Sequence, residues 1–429
     1  MQTSKLLPLF IAIILSGSLP SYSQTDQWID LDENEEYVAR HECSFVQAGD
    51  KFILFGGREQ SKRLDIYDYK SDTWSTGAQA PKAFNHFQAT TYKGLVWVIG
   101  AFNKNSFPNE PPESNVWIYH PDLDQWIEGP EIPKSRQRGG AGLVVYNDKF
   151  YLVGGNTIGH NGGYVNWFDE YDPYANTWNI LENASEKRDH FYAGVIDGKL
   201  YAAGGRRSGG KGGVFAPVIT TVDVYDFEKS SWSKLTNPLP TPRAAPGTAV
   251  YKGKLYLMGG EGEKKGPAYK IVEAYDPITG KWSNKADMNH PRHGTQAICS
   301  GKGIFIACGS PNRGGGRQHN MEVYNKNSPK GKPIKASKLS TPDQTDIQLG
   351  KTLDITIANT GGNAASFITS VEIKGEDFNL ESKASDFLVN PKDSFQLSIK
   401  HTGNKAGDEG TVMIYYNGNE KLSFKISSI

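Results

Sequence analysis

The sequence predicts an all-β protein, a six-bladed β-propeller followed by a small antiparallel β-sandwich. Three observations predict it. A set of spaced marks recurs six times between Arg40 and Tyr324. Short apolar runs between the marks are parted by tight turns such as Asp197-Gly198 and Lys252-Gly253. From Asp346 onward the hydrophobic period becomes two. Fixed spacing within strands and free spacing within loops mark a repeated supersecondary unit, and alternation marks half-buried strands.

At the N-terminus, Lys5 precedes an apolar run from Leu6 to Leu15, and Ser21 and Ser23 are small residues placed for cleavage before Gln24. Residues 1–23 read as a secretory signal peptide. The run is too short to span a bilayer, which takes about 20 apolar residues. The expected location is therefore secreted, periplasmic or cell-surface, with no membrane-spanning segment. Formal net charge is zero, so bulk charge points to neither nucleic acid nor membrane. Cys43, Cys299 and Cys308 are read as buried free thiols, with a Cys43–Cys308 bridge left open.

The marks run in register. Glycine doublets stand at Gly56-Gly57, Gly154-Gly155, Gly204-Gly205 and Gly259-Gly260, with degraded copies at Gly100-Ala101 and Cys308-Gly309. Sixteen residues before each lies Arg40, Phe84, Arg138, Arg188, Arg243 or Arg292. A tyrosine follows each doublet, at Tyr67, Tyr119, Tyr171, Tyr225, Tyr275 and Tyr324, and seven residues beyond the first five stands a tryptophan. Each unit reads as strands a to d: a and b form a hairpin closed by a two-residue turn, c carries the tyrosine and d the tryptophan. The sixth unit lacks its tryptophan, but Trp28 stands twelve residues before Arg40, as Trp126 stands before Arg138. Gln27–Leu31 is expected to supply the missing outer strand and close the ring without an open edge. The propeller is assigned residues 24–325.

These marks resemble the kelch repeat, over about 70% of the chain (Gln27 to Asn325). The resemblance implies a six-bladed propeller and leaves function open, since kelch propellers serve as enzymes, adhesins and adaptors alike. A copper radical oxidase is rejected, because the three cysteines sit in repeat strands and no cysteine is placed for the cross-link to tyrosine that such enzymes need.

Lys326–Thr341 is rich in Lys, Pro and Ser, and 326–342 reads as a linker that runs into a first strand. Residues 343–429 carry the alternating sets Leu353, Ile355, Ile357; Phe395, Leu397, Ile399; Val412, Ile414, Tyr416; and Leu422, Phe424, Ile426. They suggest a sandwich that resembles immunoglobulin-like modules of the ASPM, SPD-2 and Hydin type, with a spacer or docking role.

Function is expected on the face of the d-a and b-c connections, because only the b-c connections vary much, from eleven residues (Gly56 to Tyr67) to twenty-one (Gly204 to Tyr225). One and two residues beyond the arginine positions stand His41, Glu42, Asn85, His86, Asp189, His190 and His293. Together they predict a lopsided ligand pocket at the mouth of the axial channel. The arginines themselves read as clamps between blades. Arg206, Arg207 and Arg313 contribute to a basic arc suited to an anionic ligand. Tyr164 and Trp167, beside His160 and Asn161, offer aromatic faces for a sugar. Histidine and carboxylate suit zinc, but the residues come from separate blades without the spacing of a ligand set, so no metal and no cofactor is expected.

Two function classes follow. The first is an exported binding protein for a glycan or protein partner, acting as a monomer without nucleic acid. The second is implied by the resemblance: some exported six-bladed kelch proteins are sialic-acid epimerases or mutarotases. Glu42 or Asp189 would then be the acid/base group, with Arg188 or Arg206 as the substrate anchor. The regular repeats place binding ahead of catalysis.

Overall fold

The structure, a computed structural model, describes residues 26–31, 35–210, 212–325, 328–341 and 345–429. The segment read as a signal peptide, 1–23, lies outside the described residues. Six four-stranded antiparallel sheets form a ring, each ordered a-b-c-d from the axis outward. Blade one is typical, with Cys43–Ala48, Lys51–Gly56, Leu64–Asp68 and Thr73–Gly77. The inner strands are buried and contact one another in ring order, while the outer strands are largely exposed.

In blades two to five the a-b turns form because both central residues hold positive φ, as at Asn147 (45°) and Asp148 (62°), or Lys252 (49°) and Gly253 (70°). That is the mirror-image turn whose twist matches the flanking strands. Each outer-strand tryptophan lies opposite its tyrosine, Tyr67 against Trp74 and Tyr225 against Trp232. Several also donate their indole N–H to the preceding blade: Trp126 to Ala78 O (3.1 Å), Trp232 to Glu182 O (2.8 Å) and Trp282 to Asn237 O (3.1 Å).

Trp28–Leu31 completes blade six by the same rule. Trp28 lies opposite Tyr324, their rings are 5.3 Å apart, and the indole donates to Ala286 O of blade five at 2.9 Å. At the axis, the positions two beyond each arginine are joined blade to blade by backbone hydrogen bonds. His86 N donates to Glu42 O, Gly140 N to His86 O, His190 N to Gly140 O, Ala245 N to His190 O and Gly294 N to Ala245 O, and Cys43 N closes the circle on Gly294 O.

The recurring arginines are fully buried clamps, but within a blade and not between blades as expected, because each guanidinium reaches the strand-b end and strand c of its own repeat, as Arg188 does at Gly204 O and Thr221 O. Each pairs with the acid two residues before the strand-c tyrosine: Arg40 with Asp65, Arg138 with Asp169, Arg188 with Asp223, Arg243 with Glu273 and Arg292 with Glu322. Blade two replaces both partners at once, with Phe84 and Trp117 packing together in that place.

The C-terminal region forms two packed sheets. One holds Ser337–Ser340, Thr352–Gly361, Ser394–His401 and Phe378–Leu380; the other holds Asp346–Ile347, Glu420–Ser428, Glu409–Tyr416, Ser366–Lys374 and Phe387–Val389. All the alternating residues singled out above pack into its core. The first strand begins at Ser337, inside the segment read as linker, because it completes a sheet by pairing with Thr352–Gly361. The preceding residues are not loose either. Gln47 Nε2 donates to Lys330 O, and a side chain at Gly331 would strike Gly49 O.

The sandwich docks on the a-b and c-d turns of blades two and three. Phe367 lies edge-on to Trp97, Ala365 N donates to Lys93 O and Tyr174 Oη donates to Asn390 Oδ1 at 2.7 Å. Cys43 and Cys308 are buried free thiols, whereas Cys299 is exposed and departs from the buried expectation. No helix among the described residues is long and apolar enough to cross a membrane.

Candidate functional site

The six positions of the axial ring all adopt left-handed backbone: Glu42 (φ 56°), His86 (50°), Gly140 (65°), His190 (55°), Ala245 (48°) and Gly294 (69°). Glycine does this freely; for another residue it costs roughly 1–2 kcal/mol. Glu42, His86 and His190 are held there nonetheless by the closed hydrogen-bond circle, and strain of this kind collects at functional sites. The conformation packs their side chains together at the channel mouth. His86 and His190 rings are 4.5 Å apart, and Glu42 Oε2 lies 3.5 Å from His86 Nε2.

A second ring surrounds the first. The residue directly after each glycine doublet is Arg58, Phe102, Asn156, Arg206, Glu261 or Ser310, and each pairs with the residue one beyond the arginine position. Loops then close over the site. Phe107 and Glu110 arrive from blade two, His160 from a single turn of 3-10 helix (Gly159–Asn161) in blade three, and Phe215 from blade four. The result is a cavity of about 290 Å³ walled by Arg58, His160, Arg206, Phe107, Phe215 and Glu261 among others. Its floor is closed by side chains that bond across the axis. Gln88 Nε2 donates to Ala193 O, Gln296 Nε2 donates to Ala89 O, and Tyr192 Oη donates to Cys43 O.

The wall is dense in charge but internally paired. Arg58 meets Glu110 at 2.5 Å, and Arg206 is buried against Glu261 beneath the ring of Phe215. Burial alone would raise the Glu42 carboxyl, but the field of His293, His190 and His41 outweighs it and keeps the group below its usual range. Burial likewise opposes ionisation of Glu110 and Glu261, yet His160 and Arg58 for the first, and His293 and Arg206 for the second, hold each at about 2. Burial, reinforced by neighbouring cations, pushes His86 well down and His160 to about 4. Shifted groups converging in one cleft mark a candidate site.

The residues read from the sequence divide. His41, Glu42, His86 and Arg206 line the pocket. His190 is buried against His86, and His293 lies 3.6 Å from Glu42 Oε1. Asn85 is buried and accepts from His86 Nδ1 at 2.6 Å. Asp189 is fully buried, pairs with His190 and accepts from Ser208 N at 3.0 Å, so it positions a neighbour and does not face the cavity.

Arg188 is a clamp, removed from the cavity by its bond to Gly204 O and its pairing with Asp223, which corrects its reading as a substrate anchor. Arg207 turns outward to Glu186 at 2.6 Å. Arg313 stacks on Phe215 and donates to Glu263 O, so it supports the wall. These partners break up the basic arc. Trp167 is not a free sugar platform, because the Arg136 guanidinium lies 4.3 Å over its ring. Tyr164 pairs with Asn156 within the blade-three loop, outside the cavity lining.

Arg58, Glu261, Glu110, Phe107 and Phe215 were missed. The first two could have been found, since they occupy the fixed position after the doublet. The other three sit in loops of unequal length, where repeat counting has no purchase.

The Kelch motif family matches residues 188–239 and 242–289. The ring is a kelch-type β-propeller. Kelch-like protein terF of Aspergillus terreus is 29% identical over 275 residues, 60% of this chain and 58% of that protein. Kelch-like protein 23 of Homo sapiens is 24% identical over 283 residues, 64% of this chain and 46% of its own length. The chain thus spans about half the length of the curated relatives it matches. A solved structure titled "Structure of YjhT" aligns with a TM-score of 0.58 at 16% identity, over 68% of this chain and 95% of that one, a likeness of fold. Kelch propellers of this kind generally mediate binding.

Proposed function

We propose that this kelch-type propeller is an exported binding protein that takes a small polyhydroxylated ligand, a sugar or the end of a glycan, at the channel mouth. The observation that carries this reading is the blind cavity of about 290 Å³ with aromatic walls and paired charges. Ligand pockets begin at about 300 Å³, so this one suits a small molecule better than a protein surface. Phe107, 58% exposed, and Phe215 offer apolar faces, while Arg58 and Glu42 offer a donor and an acceptor for hydroxyl groups. An acidic sugar would set its carboxylate against Arg58, the less buried of the two cavity arginines. Export rests on Lys5 and the apolar run to Leu15. The immunoglobulin-like sandwich, docked on the opposite face, leaves the pocket free and serves as the anchor to a larger surface.

Calorimetry with neutral and acidic monosaccharides, followed by a glycan array, tests the reading. Saturable binding weakened about tenfold or more by Phe215→Ala supports it; binding unchanged by Phe215→Ala and Arg58→Ala overturns it.

A second reading, sugar mutarotation or epimerisation, is favoured by one observation: the Glu42 carboxylate faces the cavity within 4 Å of two imidazoles, His86 and His293. Glu42, and not Asp189, would be the acid/base group. Acceleration of anomer exchange in NMR, abolished by Glu42→Gln, would place the enzyme reading first.

A further inference from the structure

We propose that His86, His160 and His190 bind one divalent transition-metal ion of the zinc class, leaving a coordination position open toward the pocket. One ring nitrogen of each residue lies within 4.8 Å of the other two, and all three residues are buried. Their chemistry identifies which nitrogens converge. Each Nδ1 is already taken: in His86 by Asn85 Oδ1 at 2.6 Å, in His160 by Glu110 Oε2 at 3.0 Å, and in His190 by Asp189 Oδ1. An Nδ1–H donated to a carboxylate or amide oxygen fixes the tautomer and leaves Nε2 as a lone pair. This is the outer shell that metal-binding histidines use.

The Nε2 atoms have no such partners. Those of His160 and His190 face each other at 3.3 Å, and with both Nδ1 atoms acting as donors that places two lone pairs together. Nε2 of His86 is buried without a hydrogen-bond partner. A cation between the rings would satisfy all three. Zinc binds nitrogen at about 2.0–2.1 Å, so tetrahedral ligands sit roughly 3.3 Å apart. The His160–His190 pair already has that separation, and His86 must approach by no more than about 1.5 Å.

The ligands belong to a built frame. His86 and His190 are fixed in the axial hydrogen-bond ring, and the turn bearing His160 is tied down by His160 N donating to Pro108 O at 2.8 Å. Three protein ligands with a cavity alongside is the arrangement of an open metal site. Glu42 Oε2, 3.5 Å from His86 Nε2, stands where it would accept a hydrogen bond from a metal-bound water or enter the fourth position. The proposal is independent of the sugar reading, since it concerns metal alone.

The test uses tag-free full-length protein stripped with chelator and titrated with ZnCl2 and CoCl2. One equivalent is expected, with cobalt giving the visible bands of a nitrogen-ligated four- or five-coordinate ion and no thiolate charge-transfer band. His160→Ala, in the blade-three loop, should weaken binding by on the order of 100-fold or more, and Glu110→Gln by about 10–100-fold through the outer shell. His290→Ala should change nothing, which separates this site from the rim cluster of Asp30, His290 and Glu322. If His160→Ala does not fold by its melting curve, His86→Gln serves in its place. The proposal falls if the stripped protein takes up neither metal at micromolar concentration. It falls equally if the folded ligand variant binds as tightly as the wild type.

Discussion

Trp28→Ala is the most demanding test of how the ring is held shut. Trp28 is 6% exposed, packs on Tyr324 and donates to Ala286 O across the blade interface. Truncating a buried tryptophan costs about 3–5 kcal/mol, and the lost hydrogen bond adds about 1 kcal/mol. For a ring of this size, at roughly 2 °C per kcal/mol, the melting temperature should fall by about 8–12 °C. Trp232→Ala in blade four removes a half-buried tryptophan with a like hydrogen bond, and its strand is tied to the preceding one by the short turn after Asp226. Trp28–Leu31 has no such tether to blade six, so its loss opens a sheet edge at the seam. Scanning fluorimetry of both variants should show the larger fall for Trp28→Ala. A fall under about 2 °C, or one smaller than for Trp232→Ala, would refute the reasoning that this strand closes the ring.

Further outcomes follow from the clamps, the site and the docked sandwich. Phe84→Arg alone should destabilise by about 3–5 kcal/mol as an unpaired buried charge, and adding Trp117→Asp should recover part of that, measured as a double-mutant cycle in denaturant. Arg188→Ala should lower stability by a similar amount through the orphaned Asp223, while ligand affinity in the folded fraction stays within about twofold. Glu261 is held at about 2 against an ordinary 4.5, so its contribution is present above about pH 4.5 and lost as pH falls toward 2. Glu261→Gln should therefore flatten that acid limb by on the order of 3 kcal/mol, read from melting temperature against pH. Phe367→Ala should loosen the sandwich from blades two and three, detected as faster hydrogen exchange around Lys93 and Trp97.

The repeat made the ring legible because each blade solves the same problem with the same residues. Arg188 could be counted to its doublet and Trp28 assigned to blade six from spacing alone. The acid partners of the clamps were equally periodic, two residues before each tyrosine, and the paired exchange to Phe84 and Trp117 is their compensating exception. What the count could not give is direction. Asp189 and His190 are neighbours in the chain, yet Asp189 is fully buried with its carboxylate spent on His190 and Ser208, while His190 lies against His86 at the axis. Arg206 and Arg207 part in the same way, the first buried on Glu261 and the second outward on Glu186.

By itself the sequence determined the all-β class, six blades, the strand that closes them and a separate sandwich, because those follow from spacings that hydrogen-bonding geometry repeats. Repeat counting reached His41, Glu42, His86 and Arg206 of the site, and tertiary structure decided the rest. It brought His160 from a blade-three loop to within 3.3 Å of His190, paired the apparently free cations, and plugged the channel with Gln88, Gln296 and Tyr192. Those placements depend on loops of unequal length meeting over a common axis, and no local pattern encodes the distance between residues on different blades.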